Sequence, residues 1–289
     1  MKKLLYPLLA ASATCATAAP ALAMESTTFA GDTPEAAPVV SVRVEDSDPD
    51  EGVCTGTAIA EHWVITARHC VEAARKPAGS VRTGQGGDQK VYEVDRHEVA
   101  PEGDIALLHT AQPMELDHFA DVADAVPSGP VNIYGWSSDG SGGSTRLPSA
   151  EAAVEGESPL ALFGASSALH VALKNGARIQ PGDSGGAIFA GGKVAGIMSA
   201  GLFEDPDNPT EQEMTSNAAV SVAPVADQAA WIRDTVAQNS AGEGGAAAEG
   251  SSDAGAGGWL PWFALGLGAL AVIGAALWDV QRRKAAPLA

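Results

Sequence analysis

Gln180-Pro-Gly-Asp-Ser-Gly-Gly-Ala-Ile-Phe189 is the stretch on which the reading of this chain turns. Three glycines surround one serine, with an acid directly before it and an apolar run directly after. Glycine beside a hydroxyl suits a nucleophile, because backbone without Cβ takes unusual φ/ψ values and lets a substrate carbonyl approach closely. The N–H groups of Gly182 and Ser184 can then both aim at one oxygen, the requirement of an oxyanion hole. The same residues also make good turn material between two strands. A nucleophile needs a base and an acid elsewhere in the chain.

Two further stretches supply them. Trp63-Val-Ile-Thr-Ala-Arg-His-Cys70 ends a β-prone run on a histidine and a cysteine, and Gly103-Asp-Ile-Ala-Leu-Leu108 opens an apolar run with one acid. Together the three motifs resemble the trypsin/chymotrypsin-like serine peptidases, whose catalytic residues follow one another as His, Asp, Ser. That order falls here on His69, Asp104 and Ser184. The resemblance runs from about Phe29 to Ala237. It implies an all-β domain of two packed six-stranded barrels with a C-terminal helix and the site in the cleft between the barrels. It also implies a serine endopeptidase working through an acyl-enzyme. Ser184 attacks the scissile carbonyl, His69 takes and returns the proton, and Asp104 holds the imidazole in one tautomer.

Further roles follow from the same likeness. In these peptidases a new α-amino group inserts and pairs with the acid before the nucleophile, which is Asp183 here. Phe29 stands at the matching terminus, where the family usually has Ile or Val. Met24 to Thr28 fits either a short propeptide or a loose mature terminus. Counting back from Ser184 puts Arg178 where trypsin-like enzymes hold the acid that receives a basic side chain. An arginine there would repel Lys or Arg at P1, the substrate residue before the scissile bond. Ser199, Ala200 and Gly201 match the strand that pairs with extended substrate backbone.

Outside the motifs, Val39–Val44 alternates as a strand, and Cys54–Ala60, Val131–Trp136, Leu169–Leu173 and Val220–Val222 are further short strands. Pro113–Pro130 links two halves, Glu204–Ser216 is an acidic loop, and Val225–Ala237 has helical periodicity. The 289 residues allow one such domain with terminal appendages. A formal net charge of −19 argues against nucleic acid or an acidic membrane surface as a partner.

The appendages point to export. Lys2 and Lys3 precede the apolar stretch Leu4–Ala13, and Ala21-Leu-Ala23 is a cleavage site, so residues 1–23 read as a secretory signal peptide. Cys15 lies within it and lacks the leucine that precedes a lipoprotein cysteine. Of the three cysteines this leaves Cys54 and Cys70 as one disulfide in an oxidising compartment. Residues 238–258 have the Gly/Ala/Ser/Glu composition of a linker. Trp259 to Trp278 then carries no charge over the length of one bilayer span until Asp279, with Arg282-Arg-Lys284 beyond it. The reading is a transmembrane helix, with residues 279–289 as a basic cytoplasmic tail and the peptidase domain outside the cell. The tail resembles bacterial Gly-Gly C-terminal sorting segments, which imply an intramembrane protease that cuts it.

The expected partners are protein or peptide substrates. No zinc-spaced ligand set or phosphate loop stands in the sequence, so neither metal nor cofactor is expected. The competing reading is an inert homologue kept as an extracellular binding module. Such homologues usually lose a triad member, and none is missing here.

Overall fold

The computed structural model describes residues 24–44, 53–72, 79–85, 89–136, 146–205 and 208–246. Twelve strands form two closed antiparallel barrels. The first holds β1 (Val39–Arg43), β2 (Val53–Ala60), β3 (Trp63–Thr66), β4 (Ser80–Thr83), β5 (Lys90–Val99) and β6 (Ala106–Thr110), in the order β1-β2-β3-β6-β5-β4. The second holds β7 (Gly129–Tyr134), β8 (Ser149–Glu157), β9 (Leu169–Leu173), β10 (Ala187–Ala190), β11 (Lys193–Gly201) and β12 (Ala219–Pro224), in the order β10-β11-β12-β9-β8-β7. Residues 111–128 connect the two halves, as the proline-bounded composition predicts.

Period-2 alternation lets one strand serve two cores. In β3, Val64 faces the first barrel's interior with Val40, Val81 and Leu108, while Trp63 and Ile65 face the other way. There they join Trp136, Phe189 and Ile197 of the second half in a shared core. Val171, Ile188, Val220 and Val222 fill the second barrel. The apolar contact between the halves thus fixes one set of loops against the other, and the site is built from those loops.

Among the described residues, two α-helices join the barrels: α1 (Glu211–Ser216) and α2 (Ala229–Ala246). Thr210 and Glu213 form a reciprocal capping box that starts α1 inside the stretch expected to be loop. Ile232 of α2 is buried in the shared core. The helix runs on to Ala246, past the expected start of the linker at Gln238. Among the described residues no helix is long and apolar enough to cross a membrane. The expected signal peptide 1–23 and apolar span 259–278 lie outside them.

Candidate active site

The short apolar strand β3 delivers the histidine. It ends at Thr66, and a single 3₁₀ turn over Arg68–Cys70 follows. Cys70 at its end is bonded to Cys54 in β2, which ties the turn to the barrel wall. Opposite, Gly103 takes a φ of +84°, a conformation that favours glycine, and Ala100 N–H donates to the Ile105 carbonyl at 3.0 Å. That closed turn presents Asp104, 1% exposed, at the head of β6. Both carboxylate oxygens are used by one residue. His69 N–H donates to Oδ1 at 2.8 Å and His69 Nδ1 to Oδ2 at 2.7 Å. A proton held on Nδ1 leaves Nε2 unprotonated in the neutral ring, as a general base requires. The imidazole itself is one-third exposed, open to a substrate.

Thr55 of β2 braces the serine loop. Its N–H donates to the Ser184 carbonyl at 2.8 Å, its hydroxyl donates to the Gly182 carbonyl at 2.8 Å, and Trp136 N–H donates to that hydroxyl at 2.8 Å. The Thr55 carbonyl in turn accepts from Thr66 Oγ1 at 2.8 Å. Residue 185 must be glycine. Its φ is +82°, and a Cβ would collide with Thr66 Oγ1 and the Thr55 carbonyl and lie 2.9 Å from Ala67 N. Close approach at this point brings the serine loop to the turn that carries His69.

Asp183, Gly185 and Gly186 each donate their N–H to a backbone carbonyl. The N–H groups of Gly182 and Ser184 meet no acceptor among the described residues. These are the two donors expected for an oxyanion. Ser184 is half-buried, and its hydroxyl makes no hydrogen bond to His69 among the described residues; His69 Nε2 instead lies 3.8 Å from Cys70 Sγ. Such bonds commonly close only when substrate arrives.

Asp183 is paired differently from expectation. It is 2% exposed, accepts from Gln180 N–H at 2.8 Å, and has the Met24 backbone N–H as a second donor. Phe29 is elsewhere. It lies at the surface under the Arg146 guanidinium, in a bridge to Pro148. In the uncut chain, then, Phe29 does not meet Asp183, and the residue beside the carboxyl is Met24. The reason is local pairing: Ser26, Thr28 and Ala30 are hydrogen-bonded along Leu147 and Ser149, and this fixes Phe29 at the barrel's edge. The stretch from Met24 to Thr28 carries little pattern of its own, so its sequence does not disclose where Met24 lies.

A pocket of about 200 Å³ opens beside Ser184, lined by Ile179, Met198, Ser199, Ala200, Gly201, Phe203, Met214 and Val220 among others. Ser199, Ala200 and Gly201, the expected substrate-pairing residues, line its wall. Arg178 does not line it, and its expected place in the pocket is corrected. Side chains alternate along extended backbone, so Ile179 enters the pocket while Arg178 points to solvent, 3.7 Å from Glu25. Phe203 and Met214 are the lining residues that sequence reasoning missed. Glu213 of the same segment is bonded through its carboxylate to Thr210.

Cys54, His69 and Cys70 cluster closely, but both sulfurs are spent in the disulfide and offer no thiolate to a metal. A second histidine–carboxylate pair, His109 Nδ1 to Asp95 Oδ1 at 2.7 Å, lies against Trp63 and stacks on His62.

Two closed six-stranded barrels with a His–Asp pair facing a glycine-bounded serine define the architecture of the chymotrypsin-like peptidases. The profile of the trypsin family matches residues 30–232, and the chain belongs to that family of serine peptidases. A trypsin of the mite Tyrophagus putrescentiae is 29% identical over 187 residues, covering 54% of this chain and 66% of its own. A candidate peptidase of Corynebacterium glutamicum, Cgl1093, is 27% identical over 204 residues, covering 68% of each. Among solved structures, mouse neuropsin, a serine protease, superposes with a TM-score of 0.53 at 20% identity, covering 71% of this chain and 96% of its own. That likeness concerns the fold alone.

Proposed function

We propose that the chain is a serine endopeptidase. The observation that carries the reading is the doubly hydrogen-bonded His69–Asp104 pair, set beside a serine loop whose Gly182 and Ser184 N–H groups meet no acceptor among the described residues. Ser184 Oγ attacks the scissile carbonyl as His69 Nε2 takes its proton. The developing oxyanion meets the N–H groups of Gly182 and Ser184, and His69 returns the proton to the leaving amine. Asp104 stabilises the imidazolium formed in between. Water repeats the sequence to release the acyl group.

The extended substrate pairs along Ser199–Gly201, and its P1 side chain enters a slot walled by Ile179, Met198, Phe203, Met214 and Val220. Those walls favour a medium-sized apolar residue, because burying it removes apolar area from water at about 25 cal/mol per Å². The signal peptide, linker and apolar segment 259–278 favour an exported domain tethered by its C-terminal end, with the tail open to an intramembrane protease.

A fluorophosphonate probe tests the mechanism. It should label the wild-type chain and leave Ser184→Ala unlabelled; equal labelling of both would overturn the assignment. A peptide library varied at P1 should then show Leu, Met and Phe well ahead of Lys and Arg. Dominance of the basic residues would overturn the apolar slot.

A further inference from the structure

Phe163 holds an uncommon backbone conformation. Among the described residues two that are not glycine have a positive φ, Asn175 at +56° and Phe163 at +52°. Asparagine tolerates the left-handed region through its short polar side chain, whereas a bulky ring is strained there and persists only if its surroundings hold it. Gly164 follows at +73°, and Ala165 N–H donates to the Leu162 carbonyl at 3.2 Å. Residues 162–165 are thus a tight turn with both central residues left-handed, for which Asn-Gly is the favoured pair.

This turn lies in the loop between β8 and β9, and the loop is fastened to the second barrel. Ser158 N–H donates to the Ala168 carbonyl at 2.7 Å, and the Ser221 hydroxyl of β12 donates to the Leu160 carbonyl at 2.5 Å. Its tip meets the first barrel at two points. The Phe163 carbonyl accepts from Gly103 N–H at 3.0 Å, and the Phe163 ring lies 4.6 Å from the Arg68 guanidinium carbon. Gly103 directly precedes Asp104, and Arg68 directly precedes His69. Arg68 is itself held, since its Nε and Nη2 donate to Glu72 at 2.9 and 2.8 Å and its Nη1 to the Ala100 carbonyl at 3.3 Å. The guanidinium therefore spans from the histidine turn to the aspartate turn, with the ring packed against it.

We propose that Phe163 is a positioning residue of the peptidase site, holding the His69–Asp104 pair in register with Ser184 from the second barrel. The pair stands on two turns of the first barrel, and Ser184 stands on a loop of the second. Thr55 fastens the serine loop to the first barrel, and Phe163 fastens the histidine and aspartate turns to the second. One residue set against both turns fixes where His69 Nε2 lies relative to Ser184 Oγ without loosening the bonds between His69 and Asp104. The left-handed backbone aims the carbonyl and the ring of that one residue at the first barrel together. Strain that is held in place by its surroundings concentrates at functional sites.

The inference rests on the serine peptidase reading, and the test keeps the two apart. Phe163→Asn gives the turn its favoured pair and removes the ring, so the backbone is relieved while the contact with Arg68 is lost. In the full chain its melting temperature should stay within a few degrees of wild type. Its kcat on an apolar-P1 peptide should fall about 10–100-fold with KM little changed, the scale of loss from a misplacement of about 1 Å. Labelling by a fluorophosphonate, which carries no peptide side chains, should slow by the same factor. Phe163→Tyr keeps the ring and should restore most of the rate. Arg68→Met removes the cation, and combined with Phe163→Asn it should cost little more than either change alone. Wild-type kcat and labelling in Phe163→Asn overturn the inference. So does a raised KM at unchanged kcat, which would make the ring a substrate contact, and so does a loss that only follows a fallen melting temperature or that Phe163→Tyr does not restore. Ser184→Ala reports on the mechanism: if it is labelled like wild type the serine reading fails, while an unlabelled Ser184→Ala beside a fully labelled Phe163→Asn removes only the role of Phe163.

Discussion

Asp104 and Asp183 are almost equally buried, at 1% and 2% exposure, yet their carboxylates are met in opposite ways. Asp104 receives two hydrogen bonds from a single residue, His69, one from the backbone and one from the ring. Asp183 receives backbone N–H groups only, and one oxygen is left over. Burying a carboxylate costs several kcal/mol unless it is paired and hydrogen-bonded. The first acid is thus complete within the folded chain, while the second keeps one oxygen without a hydrogen bond among the described residues.

The largest expected effect tests the complete acid. Asp104→Asn keeps the shape but places an amide where Nδ1 now donates, so the ring must turn or take the other tautomer, with its proton on Nε2. Turnover of an apolar-P1 peptide should fall about 10³–10⁴-fold, the order known for serine peptidase triads generally, with a melting temperature within a few degrees of wild type. A variant that keeps a tenth of the activity would show that Asp104 does not set the tautomer.

The incomplete acid should show itself in stability rather than rate, and with a definite sign. Burial raises the pKa of the folded carboxyl from 3.8 to about 8. Between those values the unfolded chain gives up a proton that the folded one keeps, so stability falls as pH rises through that window, by a few kcal/mol in all. Thermal melts from pH 4 to pH 8 measure the fall, and a level curve over that range would mean that the buried carboxyl is fully satisfied as an anion.

The two acids also differ in how far the sequence discloses them. Asp104 and His69 lie in local motifs, a glycine before an apolar run and a histidine ending one, and their meeting follows from the order of the strands. The partner of Asp183 depends on where a short polar stretch threads between Arg178 and Ser149, which no periodicity encodes. Register misled the reading of Arg178 too: counting residues from Ser184 gives a position along the chain but not the side on which the side chain emerges. Strand β8, Ser-Ala-Glu-Ala-Ala-Val-Glu-Gly-Glu, has poor β-propensity and exists because Ala150 and Ala152 are buried between β7 and β9. The helix α1 was legible in principle, since Thr210 and Glu213 stand at capping-box spacing.

The smallest expected effect concerns the charge pair next door. Arg178 and Glu25 flank the Met24–Asp183 contact, but their side chains are 44% and 52% exposed and 3.7 Å apart. Water and salt screen such a pair to about 0–1 kcal/mol, and the two strands are held by backbone bonds that survive any substitution at residue 178 except proline. Arg178→Asp should therefore leave Met24 in place and change stability by no more than that amount, even with like charges now opposed. It should also leave the P1 ranking unaltered, because residue 178 faces solvent while Ile179 faces the pocket. Were Arg178 a pocket residue, the same substitution would remove a like charge and install an attractive one about 4 Å from a basic P1 group. At an effective dielectric near 20 that difference is several kcal/mol, enough to bring Lys and Arg to the front. The P1 library run on wild type and Arg178→Asp distinguishes the outcomes: an unchanged apolar preference matches the outward side chain, and a switch to basic residues would return Arg178 to the slot.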